Sequence, residues 1–353
     1  MVNVGDPPVV AQVVRNGCVE STHRGIVVVT RSDGSVSYSR GDYDSHVLPR
    51  SSLKPIQALA MVRCGLQVPP DQLAIACASH SGEPMHLQAV LDLLHGAGLT
   101  EADLRNTPDL PLIDAQRNQW IAEGRPPSSL AQNCSGKHAA MLATAVLNDW
   151  SRDTYLNRGH PCQQAVIETT RGFGQRVFWT SIDGCGAPAY AISLVGLARI
   201  FGELAKATDG AEKEVADAMR SHPELVGGTG RDVTDLMRGV PGMIAKDGAE
   251  GVYAAGLPDG RGIAIKITDG GVRARPVVMG AVLRRMWLGD EKLRRRLMDM
   301  PIYGRGVPGG SRHTGGHLSR FRWCGCWARM ASAQAGPRDA VEALDELVET
   351  FCG

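Results

Sequence analysis

The chain predicts an α/β (α+β) fold: an antiparallel sheet built from both chain ends, with a helical lobe between them. Three observations predict it. Runs rich in β-branched residues lie within residues 9–40 and return near 252–268. The long middle, roughly 50–240, repeats its apolar residues with helical period and is punctuated by Gly and Pro. Strands from both ends can pair into one sheet while the middle forms a lobe of helices.

Taken in order, Ile26-Val27-Val28-Val29-Thr30 and Val36-Ser37-Tyr38-Ser39 flank Ser32-Asp33-Gly34-Ser35, whose Asp-Gly is a hairpin turn signal. Helices are expected at 53–64, 86–97, 136–149, 160–171, 188–206, 212–221 and 231–238. Val252-Tyr253-Ala254-Ala255-Gly256 and Gly262-Ile263-Ala264-Ile265-Lys266-Ile267 read as strands around the turn Pro258-Asp259-Gly260, and a helix follows at 276–288. The expected division is 1–49 with 245–303 as the sheet-containing region, 50–244 as the helical region, and 304–353 as an atypical tail. Past Gly304 the periodicity vanishes and Arg, Gly, His, Cys and Trp rise, which suggests a peripheral or aberrant extension; 338–350 retains a short amphipathic helical pattern.

Composition bounds the function. In 353 residues, 43% are hydrophobic and 21% charged, enough for a large core and unlike a disordered chain. A formal net charge of +1 offers no basic face for nucleic acid. No apolar run reaches the ~18 residues of a membrane span. The start, Met1-Val2-Asn3-Val4-Gly5-Asp6-Pro7-Pro8, lacks the basic and apolar regions of a signal peptide, so a soluble cytoplasmic protein is expected. Nine scattered cysteines, an odd number, read as reduced thiols.

The first chemical motif is Arg50-Ser51-Ser52-Leu53-Lys54-Pro55. Residues three apart on a helix share a face, so Ser51 and Lys54 can meet there. A lysine relieved of its charge can take a serine proton and make the hydroxyl a nucleophile. Pro55 cannot tolerate a helical carbonyl four residues back, so the helix starts near Ser51 or Ser52, at the positive end of its dipole. The plainer reading is a serine cap with a solvated lysine.

Four further segments stand out. Cys77-Ala78-Ser79-His80-Ser81-Gly82-Glu83-Pro84 joins an apolar run to a helix start, either exposing side chains there or capping it. Asn133-Cys134-Ser135-Gly136-Lys137-His138 opens an apolar helix and resembles a cradle for an anion or carbonyl, or else a cap. Asp183-Gly184-Cys185-Gly186-Ala187-Pro188 is a loop whose glycines let backbone approach a ligand. Alternation in the strand at 263–267 places Ala264, Lys266 and Thr268 on one face, bordering either a cleft or solvent. Cys134, Lys137, His138, Asp183 and Cys185 also admit a zinc reading, two thiolates with a nitrogen, although C-x-x-C spacing is lacking and packing cysteines explain the thiols equally.

These motifs, together with Glu20-Ser21-Thr22-His23-Arg24-Gly25 and Lys266-Ile267-Thr268-Asp269-Gly270, resemble in order the motif set of the rhizobial-type L-asparaginases over roughly residues 9–300. The resemblance implies a fold like serine β-lactamases and glutaminases, and a homodimer. It implies two Ser-Lys pairs, Ser51 with Lys54 and Ser79 with Lys266, and a possible zinc site at Cys134, Lys137 and Cys185. It leaves His80, Asn133, Lys137, His138, Asp183 and Gly184 to face substrate and calls for no organic cofactor.

The expected activity is therefore hydrolysis of L-asparagine to L-aspartate and ammonia through a serine acyl-enzyme. Glutaminase or β-lactamase-like esterase activity is the enzymatic alternative, and a catalytically silent amino-acid-binding protein the non-enzymatic one. Retention of both serines and both lysines argues against the last.

Overall fold

The computed structural model describes residues 6–305 and 307–313. Among them, eight strands form one antiparallel sheet: β1 (Val9–Arg15), β2 (Cys18–Thr30), β3 (Val36–Arg40), β7 (Ile244–Asp247), β8 (Val252–Gly256), β9 (Gly262–Ile267), β10 (Met300–Gly304) and β11 (Val307–His313). Three more, β4 (His46–Val47), β5 (Trp179–Ile182) and β6 (Pro188–Ser193), form a small second sheet in the order β4-β6-β5. The large sheet runs β10-β11-β1-β2-β9-β8-β7, with β3 also on β2. Strand β2 is long enough to serve both halves of the sheet. Its first part pairs with β1, and its last residues lie between β3 and β9, Val27 facing Arg40 on one side and Ile265 on the other.

The expected α/β class and the sheet drawn from both chain ends are what the structure has. Every residue of β8 is buried, so both faces of the sheet are covered there. The Leu194–Lys206 helix packs on β8, β9 and β2, and the Arg275–Arg285 helix on β9, β8 and β1. The first lies unusually close. A Cβ on Gly256 would sit 1.9 Å from the Phe201 carbonyl oxygen, and one on Gly262 would sit 1.9 Å from that of Ala198. Only glycine allows helix and strands to touch backbone to backbone. Helices Lys54–Arg63, Pro70–Ala76, Pro84–Gly96 and Ser135–Leu147 pack on one another in the helical lobe.

Three expectations need correction. The helix expected at 188–206 is β6 followed by the Leu194–Lys206 helix. Pro188 opens the strand, and Ser193 caps the helix, its Oγ accepting from the Gly196 N–H at 3.1 Å. Helices Pro70–Ala76, Asp114–Ala122 and Glu291–Met298 and strand β7 were not anticipated. The tail boundary at 304 cuts through a hairpin: β11 pairs with both β10 and β1, Gln12 facing His313. The helical pattern at 338–350 and the Cys324-Cys326 segment lie outside the described residues. A chain ending at 303 should therefore be less soluble and unfold at lower urea than one ending at 313, because it leaves β1 as a bare edge. Equal urea midpoints would contradict the role of β11.

Candidate active site

The catalytic candidates gather where the helical lobe meets the sheet. A 3-10 turn, Arg50–Leu53, packs on β7 and β8 and runs straight into the Lys54–Arg63 helix, with Pro55 in its first turn. Ser51 is half-buried on this turn, and its hydroxyl makes no hydrogen bond among the described residues. Arg50, just before it, has φ of 52°, a left-handed conformation costing a non-glycine residue about 1–3 kcal/mol. An ion pair holds it there: Nε and a terminal nitrogen both donate to Asp183 Oδ1, at 2.9 and 2.7 Å.

Lys54 departs from the expected pairing. It is 1% exposed, and its amine makes no hydrogen bond to Ser51 among the described residues. Nζ donates to the Ala78 carbonyl at 2.5 Å, to Ser79 Oγ at 3.0 Å and to the Asn133 carbonyl at 3.3 Å. A buried amine needs partners for its N–H groups, and these loops supply them. Lys54 thus meets Ser79, and shares only a helical turn with Ser51. Lys266 does not reach Ser79 either. Its Nζ donates to the Glu250 carbonyl, and burial keeps its pKa below the ordinary lysine value, opposed by Glu250 and Asp269. Arg50 acts on it too, so Lys266, Arg50 and Glu250 share one charged rim.

The remaining expected residues divide between rim and floor. Asn133, Asp183 and Gly184 keep some exposure. Asp183 is engaged by Arg50 and by the Gly184 N–H at 2.7 Å; burial would raise its pKa, but Arg50 and Lys137 hold it below the usual carboxylate value. His80 and His138 are fully buried, and burial holds both well below the ordinary histidine pKa, so they are neutral. His80 Nε2 lies 2.8 Å from Ser135 Oγ and its ring stacks on His86, so it serves the loop packing. His138 Nδ1 lies 2.8 Å from the Tyr155 hydroxyl. That hydroxyl also accepts from the Arg105 N–H at 3.3 Å, and the other ring nitrogen, His138 Nε2, has no hydrogen-bond partner among the described residues.

Cys134, Lys137 and Cys185 do converge. Lys137 Nζ is 3.2 Å from Cys185 Sγ, and the two cysteines pack together with Ala187. Cys185 is drawn down to about 5, first by the neighbouring Cys134 thiol, which in the structure donates to Asn133 Oδ1 at 3.3 Å, and then by Lys137, against its burial. Cys134 is pushed up to about 12, first by Cys185 and then by burial. Burial would lower the Lys137 pKa, but Cys185, Cys134 and Asp183 raise it. The cluster is a thiolate, a thiol and a cation. Two sulfurs and a nitrogen fit zinc as a donor set, although among the described residues no group of three or more His, Cys, Asp or Glu could hold a metal. A metal there would need Lys137 as its third donor, and a lysine joins a metal only by giving up its proton.

Four residues that sequence reasoning did not single out complete the surroundings: Ser52, Arg231, Lys246 and Asp247. Ser52 Oγ donates to the Lys246 carbonyl at 3.1 Å, and Arg231 donates to the Ser79 carbonyl at 3.0 Å. Lys246-Asp247 inside the apolar run from Met243 was the signal available for them, since charge in a buried strand needs a reason.

Among solved structures, the chain is similar to a beta-lactamase from Mycobacterium bovis, at 16% identity and TM-score 0.41 over 74% of this chain and 94% of that one. Mglu in its glutamate form gives 16% and 0.41 over 78% and 62% of the two chains. EstCE1, a hydrolase with promiscuous acyltransferase activity, gives 12% and 0.40 over 84% and 95%. Likeness this distant carries no argument about the chemistry here. No curated protein sequence matches the chain. The family model for L-asparaginase II matches residues 11–313, the span that holds every residue of the site and all of the large sheet but the first two residues of β1, and the chain belongs to that family.

Proposed function

We propose that this asparaginase-type amidohydrolase converts L-asparagine to L-aspartate and ammonia through an acyl-enzyme on Ser51. One observation carries the reading: the buried Lys54 amine is bonded to Ser79 Oγ, one helical turn from a half-exposed serine whose hydroxyl makes no hydrogen bond among the described residues. Lys54 must first give up one of the three N–H groups it now donates; the lone pair this leaves takes the Ser51 proton as Oγ attacks the side-chain amide carbon. The proton then passes through Ser79 to the leaving nitrogen as the C–N bond breaks. Water retraces the path to release aspartate. The Arg50–Lys266 and Asp183–Glu250 rim offers both signs of charge to a zwitterionic amino acid.

Ser79 as the nucleophile is a second reading, favoured by its being the serine in contact with Lys54. Rapid-quench mass spectrometry of the enzyme with asparagine, followed by peptide mapping, distinguishes the two: the adduct is expected on Ser51. An adduct on Ser79 reverses the roles. Ammonia release from asparagine and glutamine, beside cleavage of a chromogenic ester, separates asparaginase from glutaminase and esterase, and no turnover of any would leave a binding protein. No helix among the described residues is long and apolar enough to cross a membrane. Cytoplasmic placement and the homodimer belong to this proposal, the dimer being testable by light scattering.

Zinc at Cys134, Lys137 and Cys185 is also part of it. When bound there it would supply a fixed positive charge for a substrate carboxylate. Cys185 is already a thiolate above about pH 5, so binding should release the protons of Cys134 and Lys137. Two protons per zinc make affinity rise about a hundredfold per pH unit near neutrality. Elemental analysis and zinc titration at several pH values check this, and a protein that takes up no zinc would leave the cluster as an ion pair.

A further inference from the structure

One buried carboxylate is wired to both serine-bearing segments. Asp247 ends β7, is 5% exposed, and has three cations around it. Lys246 Nζ lies 2.5 Å from Oδ1, while Arg231 and Arg275 lie 2.5 and 3.4 Å from Oδ2. The first arm is Arg231. One terminal nitrogen grips Asp247 and the other donates to the Ser79 carbonyl at 3.0 Å. The second arm is the strand end itself. Ser52 Oγ donates to the Lys246 carbonyl at 3.1 Å, and a Cβ on Gly248 would lie 2.5 Å from the Pro49 carbonyl oxygen, so β7 abuts the turn that carries Ser51. Arg275 closes the assembly by donating to the Gly248 carbonyl at 2.8 Å.

Burying a carboxylate and its cations is rarely the cheapest way to fill a core, since well-packed apolar side chains often hold a fold as well or better. What a fully bonded polar network adds is a defined arrangement. Here it spans the two segments that must keep a fixed distance from Lys54. We propose that Asp247 and Arg231 are positioning residues that set the Ser79 loop and the Ser51 turn against Lys54. Neither need touch substrate. This rests on the acyl-enzyme reading above.

The test uses the full-length protein. Arg231→Lys keeps a cation beside Asp247 but replaces a fork by a single ammonium, which cannot hold both the carboxylate and the Ser79 carbonyl. Its kcat should fall about ten- to a hundredfold, as small misplacements of catalytic groups do, while KM stays within about threefold. The comparison is made per active site, with the thermal midpoint measured alongside. Ser52→Ala removes one hydrogen bond from the other arm and should lower kcat several-fold. A folded Arg231→Lys protein with wild-type kcat, or with only KM changed, overturns the proposal. A purely structural network would lower the midpoint and leave kcat per active site intact. If Arg231→Lys does not fold, Ser52→Ala decides, and an unchanged kcat there is equally fatal. The acyl-enzyme reading fails separately, if wild-type enzyme shows no covalent adduct on either serine.

Discussion

Replacing Ser51 with alanine should lower kcat on asparagine by on the order of 10³-fold or more, with the fold intact. The activity loss follows from removing the atom that would form the acyl bond. The intact fold follows from the environment: Ser51 is half-buried and its hydroxyl bonds to nothing among the described residues. Removing such a group changes stability by about 0.5 kcal/mol or less. Steady-state ammonia release and a thermal midpoint check the two halves. Near-normal ammonia release would transfer the nucleophile to Ser79.

Lys54→Met should be as damaging to turnover and, unlike Ser51→Ala, should also destabilise the protein. Methionine has nearly the same length but leaves the Ala78 carbonyl and Ser79 Oγ without this donor, while the Asn133 carbonyl keeps the His80 N–H at 3.2 Å. Orphaning buried polar groups costs about 1–3 kcal/mol. If Lys54 is the base for Ser51, combining the two substitutions should lower kcat little further, because each alone abolishes the same step. Kinetics of the double variant and urea denaturation of the single one test this. A Lys54→Met protein as stable as the wild type would mean that the Ala78 carbonyl and Ser79 Oγ find other donors.

Much of this was legible in the sequence, and the rest was not for identifiable reasons. The hairpin around Asp33-Gly34 and strands β8 and β9 carry strong local signals, and β2 pairs with β9 as the chain-end reading requires. Strand β6 was hidden because Pro188-Ala189-Tyr190-Ala191-Ile192 is buried on both faces, and a run without alternation resembles a buried helix. The spacing of Ser51 and Lys54 shows that they share a helix face. It cannot show where the lysine points, which is decided by acceptors on loops 24 and 79 residues away. The partners of Lys266 and of Arg231 were beyond reach for the same reason. Cys134, Lys137 and Cys185 came together as expected because each begins or precedes a helix or strand that points its loop to the same junction.

The pairing of β2 with β9 also governs how the chain must be made. Gly25 finds Ile267, and Thr30 finds Gly262, more than two hundred residues later. During synthesis the first hairpin, with its run of apolar residues from Ile26 to Val29, is complete long before its neighbour leaves the ribosome. The helical lobe can condense meanwhile from local contacts, but the sheet closes only at the end. Its exposed edge is in the interval an invitation to other nascent chains, so slow translation at low temperature or a chaperone that shields strand edges should raise the soluble yield more than any change to the mature surface.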